Sequence, residues 1–295
     1  MAVIEVKNLG KKYKGNSFYS LKDANFIIEE GDIVGLVGKN GSGKSTLLKI
    51  LSKSQMPTEG NVFFNGKDIF KKDNILKDFG IMIEPVFFPQ ISVEENLKLY
   101  LKIHKKEQYL DNIEKTLRLV GLWEAKDRKP VAFSFGMKQR TALALALITE
   151  PKVVLLDEPF VGLDPIGVKN LLEILKKWSE LNKTSMLISS HQLAELEGLC
   201  TRYIFIESGV TNDNINTKQN SMMIELNDCL SDENRYLIEE LINHYGLDYN
   251  ENNIEITNSI NNQELNDILG QLAAASLIKN VLSKKDSLER LFVEE

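Results

Sequence analysis

A nine-residue segment near the N-terminus constrains the fold more than any other part of the chain. It matches the pattern G-x-x-x-x-G-K-[ST] and consists of Gly38-Lys39-Asn40-Gly41-Ser42-Gly43-Lys44-Ser45-Thr46. Residues 33–37 before it are apolar and indicate a buried strand, and residues 47–51 indicate the start of a helix. A strand, a glycine-rich turn and a helix in this order form a loop whose N–H groups surround phosphate oxygens. The segment therefore predicts a nucleotide-binding site.

The residue types of this loop suit the separate parts of a magnesium-bound nucleotide. Gly41 and Gly43 allow the backbone to turn its N–H groups inward. Lys44 is expected to place a positive charge on the β- and γ-phosphates, and the Ser45 hydroxyl is expected to bind Mg²⁺. The helix that follows directs its positive end at the same anion.

Polar side chains follow two further apolar strands of the predicted sheet. Asp157 and Glu158 come directly after residues 153–156, and His191 follows residues 184–189. We expect Asp157 to hold Mg²⁺ through water, Glu158 to polarise an attacking water, and His191 to hydrogen-bond the γ-phosphate. An Asp-Glu pair alone could be a solvated loop start, and a lone histidine could be structural. A phosphate loop in the same sheet favours the catalytic interpretation.

A second anion site is predicted where Ser134 and Gly136 precede a helix rich in Ala and Leu, residues 136–149. One nucleotide needs only one such site. We therefore expect this helix terminus to face the nucleotide of a second chain, with two nucleotides held between two chains arranged head to tail.

Composition limits the classes of partner. The 295 residues suffice for a large and a small domain, and the net charge of −6 disfavours nucleic acid. The two cysteines, Cys200 and Cys229, lack metal-ligand spacing, which is typical of reduced thiols in a cytosolic protein. Residues 1–7 lack a signal-peptide pattern, and the apolar stretch 142–148 is too short to span a bilayer. Any membrane part is expected to come from another chain.

Buried strands alternate with helices, which predicts an α/β fold with a mainly parallel sheet. An all-helical insert is expected at residues 86–150, a polar linker at 209–221 and a small α+β domain at 222–295. Further predicted strands are residues 3–9, 21–29, 61–64, 79–83, 203–207, 222–226, 254–257 and 277–282. A further helix is predicted to start at Ser92 with a capping box. The other predicted helices span residues 109–120, 164–181, 192–199, 233–245, 263–274 and 287–293.

These motifs, in this order, resemble the ATP-binding subunit of ABC transporters over about residues 2–210. Gly38–Thr46 resembles the Walker A loop, Val153–Asp157 Walker B, Glu158 the catalytic glutamate, Gly162–Asp164 the D-loop, His191 the H-loop and Tyr13 the aromatic residue that stacks on adenine. Tyr13 alone could also be an ordinary surface aromatic. The segment Ser134-Phe135-Gly136-Met137-Lys138-Gln139-Arg140 resembles the signature, usually Leu-Ser-Gly-Gly-Gln.

The resemblance implies a P-loop (RecA-like) core in an ATPase domain, residues 1–210, with an antiparallel β subdomain, a helical subdomain at about 86–150 and a linker at 211–221. It also implies ATP and Mg²⁺ as ligands, with Ser134, Gly136 and Met137 contacting the nucleotide of the other chain. The expected partners are a second ATPase chain and integral membrane permease chains. The expected location is cytoplasmic, on the inner face of the cytoplasmic membrane.

Two positions depart from the family pattern. Phe135 replaces the first glycine of the signature, and Glu84 stands where the family usually has a glutamine that binds Mg²⁺ and water. Gln90, a few residues further on, is an alternative for that glutamine. The segment Glu84-Pro85-Val86-Phe87-Phe88 is similar to the subgroup that exports, or confers immunity to, antimicrobial peptides such as lantibiotics and bacitracin. The ending 287–292 resembles tails of drug-export ATPases.

Three functions therefore compete. The first is an ATPase subunit that powers export through separate permease chains. The second is a non-transport ABC ATPase acting on nucleic acid or ribosomes, which the single cassette and the acidic balance disfavour. The third is a module that uses ATP as a switch without turnover, which Glu158 and His191 disfavour.

Overall fold

The computed structural model describes residues 2–84, 87–191, 193–196, 198–212, 222–227, 232–250, 252–256 and 260–283. Within these residues the chain divides into two compact units, residues 1–215 and 216–295. Some predicted features lie outside the described residues, namely Pro85 and Val86, most of the linker, Cys229 and the C-terminal helix 287–293 with its drug-export-like ending.

The strands described in the first unit form two sheets. In chain order they are β1 (Ala2–Lys11), β2 (Leu21–Glu29), β3 (Ile33–Val37), β4 (Glu59–Phe64), β5 (Lys67–Asp68), β6 (Phe79–Met82), β7 (Val153–Leu156), β8 (Ser185–Ser190), β9 (Arg202–Glu207) and β10 (Val210–Asn212). An antiparallel sheet has the order β2-β1-β4-β5. The other sheet has the order β10-β9-β3-β8-β7-β6, in which all neighbours are parallel except β10.

The register of the parallel sheet brings the predicted site residues to one edge. Leu36 of β3 lies opposite Ser189 of β8, and Leu156 of β7 lies opposite Ile188 of β8. The chain leaves β3, β7 and β8 at nearly the same level, because the carboxyl ends of parallel strands meet at the same edge. The phosphate loop, Asp157 and the end of β8 are neighbours for this reason.

The first unit also contains the helices that connect these strands. They are α1 (Lys44–Leu51), α2 (Val93–Ile103), α3 (Asn112–Leu119), α4 (Phe135–Leu147) and α5 (Pro165–Asn182). Leu47 and Leu48 of α1 share one buried hydrophobic cluster with Ile4 of β1 and Leu155 of β7. Each buried leucine contributes about 1.5–3 kcal/mol of transfer free energy. The helix behind the phosphate loop is thus anchored by side chains of both sheets.

The start of α2 confirms the predicted capping box. The Glu95 N–H donates to Ser92 Oγ at 3.2 Å, and the Ser92 N–H donates to Glu95 Oε2 at 2.7 Å. One turn further on, Asn96 is only 3% exposed, and its Nδ2 donates to the carbonyls of Phe88, Ile91 and Ser92. Its Oδ1 accepts from the Phe88 N–H at 2.6 Å. A single amide side chain therefore holds the segment before α2 against the helix.

The second unit has the strand and helix order βαββαβ. Its elements are β11 (Met222–Leu226), α6 (Asp232–Tyr245), β12 (Asp248–Asn250), β13 (Asn253–Ile256), α7 (Asn262–Ala274) and β14 (Ile278–Ser283). The strands lie antiparallel in the order β12-β13-β11-β14, which is the ferredoxin-like arrangement. Ile224 and Ile254 from the sheet and Ile238 and Ile268 from the helices form its core.

The structure differs from the sequence-based expectation around His191 and after β9. In place of a helix over 192–199 the described residues contain one 3₁₀ turn, Leu193–Leu196, and Gly198 follows with a φ of 73°. Residues 210–212, predicted as linker, form the edge strand β10, in which Thr211 Oγ1 accepts from the Asn25 N–H. Polar side chains are tolerated there because an edge strand faces solvent.

Smaller differences concern the bounds of elements. The helix predicted for 109–120 begins at Asn112 after a 3₁₀ turn, Glu107–Tyr109, and β12 was not predicted. Strand β12 has three residues, all exposed, so no hydrophobic alternation marks it in the sequence.

Candidate functional site

The Lys44 side chain lies inside the phosphate loop. Its ammonium donates to the Gly38 carbonyl at 2.6 Å and to the Lys39 carbonyl at 3.3 Å, and the side chain is 5% exposed. The loop curls around it because Gly43 has a φ of 115°, and a Cβ at Gly43 would lie 2.4 Å from the Ser20 carbonyl oxygen. Only glycine fits that position.

Tyr13 lies beside the C-terminal end of the loop. Its hydroxyl donates to Gln55 Oε1 at 2.6 Å and lies 3.4 Å from Thr46 Oγ1. The Lys11 ammonium lies over the ring, 5.1 Å from its centre. The ring is therefore oriented at its hydroxyl and over one face by contacts that sequence reasoning did not identify.

Glu158 joins the phosphate loop to the end of β8. Its Oε1 lies 3.2 Å from Lys44 Nζ and makes no aligned hydrogen bond, so the contact is an ion pair. Its Oε2 lies 2.8 Å from His191 Nδ1. The structure thus brings together the three residues predicted to be catalytic, which lie far apart in the sequence.

Ser189 is a site residue that sequence reasoning missed. Its hydroxyl donates to Asp157 Oδ1 at 2.6 Å and accepts from the Glu158 N–H at 2.8 Å, and the residue is fully buried. Glu158 has a φ of 46°, a left-handed conformation that is unusual outside glycine. Ser189 stabilises this turn through the Glu158 N–H and orients the Asp157 carboxylate. The signal in the sequence was a polar residue at the end of a buried strand, since a buried hydroxyl needs a partner.

Two neighbouring clefts contain the predicted site residues. The larger has a volume of about 740 Å³, and its lining includes Asn40, Asp157, Glu158 and His191. A second cleft of about 400 Å³ has Ser134 and Gly136 in its lining, together with the D-loop residues Gly162, Leu163 and Asp164. Phe135 and Gln139 of the signature segment line both clefts, whereas Ser134 and Gly136 line only the second.

The signature segment begins α4 and touches the D-loop. Ser134 caps the helix, its Oγ accepting from the Met137 N–H at 3.3 Å. Phe135 is 49% exposed and lies against Gly162, where an added Cβ would be 2.9 Å from the Phe135 ring. The unusual phenylalanine of the signature thus contacts the D-loop of its own chain.

Glu84 does not line the larger cleft. Its carboxylate forms an ion pair with Lys49 of α1, with Nζ and Oε1 2.6 Å apart. The alternative residue, Gln90, is exposed. A groove of about 360 Å³ contains Glu84 together with Phe88, Tyr100 and Ile103 in its lining.

The site has features that fit a magnesium nucleotide. Ser42 Oγ is buried beneath the loop without a hydrogen-bond partner among the described residues, and Ser45 is exposed at the start of α1. The described residues contain no cluster of three or more His, Cys, Asp or Glu side chains that could hold a metal alone.

Comparisons with known proteins agree with this geometry. A family model described as "ABC transporter" matches residues 21–161. The bacitracin transport ATP-binding protein BcrA of Bacillus licheniformis is 34% identical over 245 residues, which cover 80% of this chain and 78% of that protein. The chain belongs to the ATP-binding proteins of ABC transporters.

A second relative of this ABC ATPase is the lantibiotic transport ATP-binding protein SrtF of Streptococcus pyogenes, 36% identical over 70% of this chain and 88% of that protein. Among solved structures, the ATP-binding cassette MJ0796, a dimer in a post-hydrolysis state with ADP and Pi, superimposes with a TM-score of 0.63. It is 26% identical, and the match covers 72% of this chain and 99% of that one.

The predicted fold class and ATPase activity are confirmed by these findings. The ABC ATPase binds ATP, and its family works as transport subunits whose cassettes are known as dimers. Among the helices of the described residues, none combines the length and the apolar character needed to cross a bilayer.

Proposed function

We propose that this ABC ATPase powers the export of an antimicrobial peptide or drug through separate membrane permease chains. The observation that carries the proposal is its similarity, over 70–80% of its length, to proteins named for bacitracin and lantibiotic transport. The position of Glu84, where the family usually has glutamine, supports the same subgroup. The reported relatives are named as transport proteins, and nothing in the comparisons favours an action on nucleic acid.

Each side chain of the site has one task in hydrolysis. Lys44, held inside the loop, neutralises the β- and γ-phosphates, and Tyr13 stacks on the adenine. Ser45 and Asp157 would hold Mg²⁺, which would supply positive charge to the phosphates. Glu158 polarises the attacking water, and His191, in contact with its carboxylate, hydrogen-bonds the γ-phosphate.

The site is completed by a second chain. At the start of α4, Ser134 and Gly136 line the second cleft and not that of Glu158, and Met137 follows them in the helix. In a head-to-tail pair, the helix terminus of one chain supplies positive charge to the γ-phosphate held by the other. ATP therefore joins the two chains, and hydrolysis releases them.

The movement reaches the permease through the helical subdomain at about residues 86–150. Ile81, Phe88 and Ile103 are large apolar side chains, 38–59% exposed, and all three line the groove of about 360 Å³. Exposed apolar groups around a groove are typical of a protein–protein interface. Docking there places the ATPase on the inner face of the cytoplasmic membrane, and residues 222–295 form an accessory domain.

The experiment is a drug- and peptide-susceptibility panel on a strain lacking this chain, complemented with the wild type or with Glu158→Gln. We expect sensitivity to bacitracin-like or lantibiotic-like peptides that only the wild type reverses. Copurification of a membrane protein from the complemented strain tests the permease partner. Unchanged susceptibility across the panel contradicts the export of antimicrobial compounds.

A further inference from the structure

An ion pair connects the helix behind the phosphate loop to the segment that leads into the helical subdomain. Lys49 lies on α1, in the turn after Lys44, and Glu84 lies two residues beyond the end of β6. Lys49 Nζ and Glu84 Oε1 are 2.6 Å apart. The ion pair therefore connects α1, which follows the phosphate loop, to position 84, where the family usually has a neutral glutamine.

The surroundings of Lys49 are acidic. The hydrogen bond from its ammonium to Glu84 is the main cause that raises the pKa of Lys49, against the lowering effect of burial. The charges of Glu84, Tyr13 and Asp157 raise this pKa as well. The direct ionic contact of the Lys49 ammonium is with the Glu84 carboxylate.

The other lysine of the site is engaged elsewhere. Lys44 contacts the carbonyls of Gly38 and Lys39 and the carboxylate of Glu158. It cannot also offset the charge of Glu84. Ile83, next to Glu84, lines the cleft of Asp157 and Glu158, so Glu84 stands at the rim of that cleft. A carboxylate without a cation at this rim repels a bound polyphosphate, because like charges repel across partly solvated surroundings.

We propose that Lys49 is a positioning residue that neutralises Glu84, so that a carboxylate can stand where related ATPases have glutamine. The inference rests on the proposed nucleotide site and adds a charge partner to it. Lys49 also holds the segment after β6 against α1, so the nucleotide helix and the helical subdomain share one ionic contact. The pair is not a source of fold stability, since Glu84 is 76% exposed and solvent screens such pairs.

The test is a double-mutant cycle on the full chain, read as ATP affinity by calorimetric titration in EDTA. This readout needs neither hydrolysis nor a divalent cation. We expect Lys49→Met to weaken ATP binding about fivefold, because Glu84 is left uncompensated. We expect Glu84→Gln to bind ATP at least as tightly as the wild type. In the Glu84→Gln background, adding Lys49→Met should change the affinity less than twofold.

Two further measurements separate electrostatics from packing. The thermal midpoint of Lys49→Met should equal that of Lys115→Met, a control that breaks the exposed Lys115–Glu150 pair at 2.9 Å. Raising the salt concentration should reduce the loss in Lys49→Met, since screening weakens repulsion by Glu84.

Equal losses with Glu84 and with Gln at position 84 would overturn the proposal, because Lys49 would then act on the nucleotide directly. No loss in Lys49→Met would overturn it as well. Either result leaves the proposed export function standing, because the wild type still binds ATP. If the wild type binds no ATP, both the role proposed for Lys49 and the proposed export function are contradicted.

Discussion

His191 Nδ1 lies 2.8 Å from Glu158 Oε2, while the other oxygen of the same carboxylate lies 3.2 Å from Lys44 Nζ. Both oxygens of Glu158 are thus in contact with residues that follow different strands of the sheet, Lys44 after β3 and His191 after β8. Because both of its oxygens have a contact, the carboxylate has a defined orientation. It is not part of an extended buried hydrogen-bond network among the described residues. That is the arrangement required of a group that must act on one water molecule.

Replacing Glu158 with Gln should abolish turnover and keep ATP binding. The amide retains the shape of the side chain but cannot accept a proton, so we expect a fall of about 10²-fold or more in the hydrolysis rate. Without hydrolysis the ATP-bound pair should persist, which size-exclusion chromatography with ATP measures. Glu150→Gln is the control, since Glu150 pairs with Lys115 away from the site. A mutant with normal turnover would show that Glu158 is not the catalytic carboxylate.

Replacing Ser189 with Ala should reduce turnover more than stability explains. The Glu158 N–H and one oxygen of Asp157 lose their partner, at a cost of about 1–3 kcal/mol for buried groups. Loss of orientation at the Asp157 carboxylate and at the Glu158 backbone should lower kcat, measured in a steady-state ATPase assay.

A matched control lies at the other end of the same strand. Ser185 Oγ also makes two hydrogen bonds, to the Gly31 N–H and the Glu29 carbonyl, and the residue is 1% exposed. Ser185→Ala should lower the thermal midpoint by a similar amount and leave kcat nearly unchanged. If both variants lose kcat equally, Ser189 has only a structural role.

Replacing Gly162 with Ala should disturb the D-loop through Phe135. Gly162 has a φ of 75°, and the new Cβ would lie 2.9 Å from the Phe135 ring, so strain and a steric clash add to about 1–3 kcal/mol. Gly66→Ala is the control, because Gly66 has a φ of 72° with no atom within 4 Å of the added Cβ.

The double variant Gly162→Ala/Phe135→Gly separates the steric clash with the Phe135 ring from the backbone strain at position 162. We expect it to recover part of the lost stability, measured by chemical denaturation, whereas Phe135→Gly should recover nothing in the Gly66→Ala background. Equal effects in both backgrounds would contradict the contact between the signature and the D-loop.

Replacing Asn96 with Ala should loosen the segment before α2. The backbone N–H of Phe88 and the carbonyls of Phe88 and Ile91 lose the side-chain amide as partner, at a cost of about 2 kcal/mol. We expect faster limited proteolysis near Phe88. Asn112→Ala, which removes one hydrogen bond to the Ile148 carbonyl, is the control. Unchanged cleavage near Phe88 would show that other contacts hold this segment.

Much of the site was predictable, because its parts are contiguous in the sequence. The phosphate loop, the Ser92 capping box and the Asp164 cap of α5 each depend on residues within one or two turns of each other. Local backbone geometry specifies such features, so residue types at short spacing suffice to identify them.

The contacts that were missed join residues distant in the sequence. Ser189 reaches Asp157 and Glu158 because β7 and β8 are adjacent in the sheet with a defined register. Lys49 reaches Glu84 because α1 and the end of β6 converge in space. A lysine or a serine in the sequence does not indicate which residue it contacts, because both residue types are common on protein surfaces.

The sequence alone determined that the chain carries a phosphate loop, strand-end carboxylates and a second helix terminus suited to an anion. Only the tertiary structure decided which of these meet within one chain. Strand register places Lys44, Glu158 and His191 in contact, while Ser134 and Gly136 line another cleft. The reason is physical: hydrophobic burial and strand pairing choose the neighbours of each element, and short-range sequence patterns do not contain that choice.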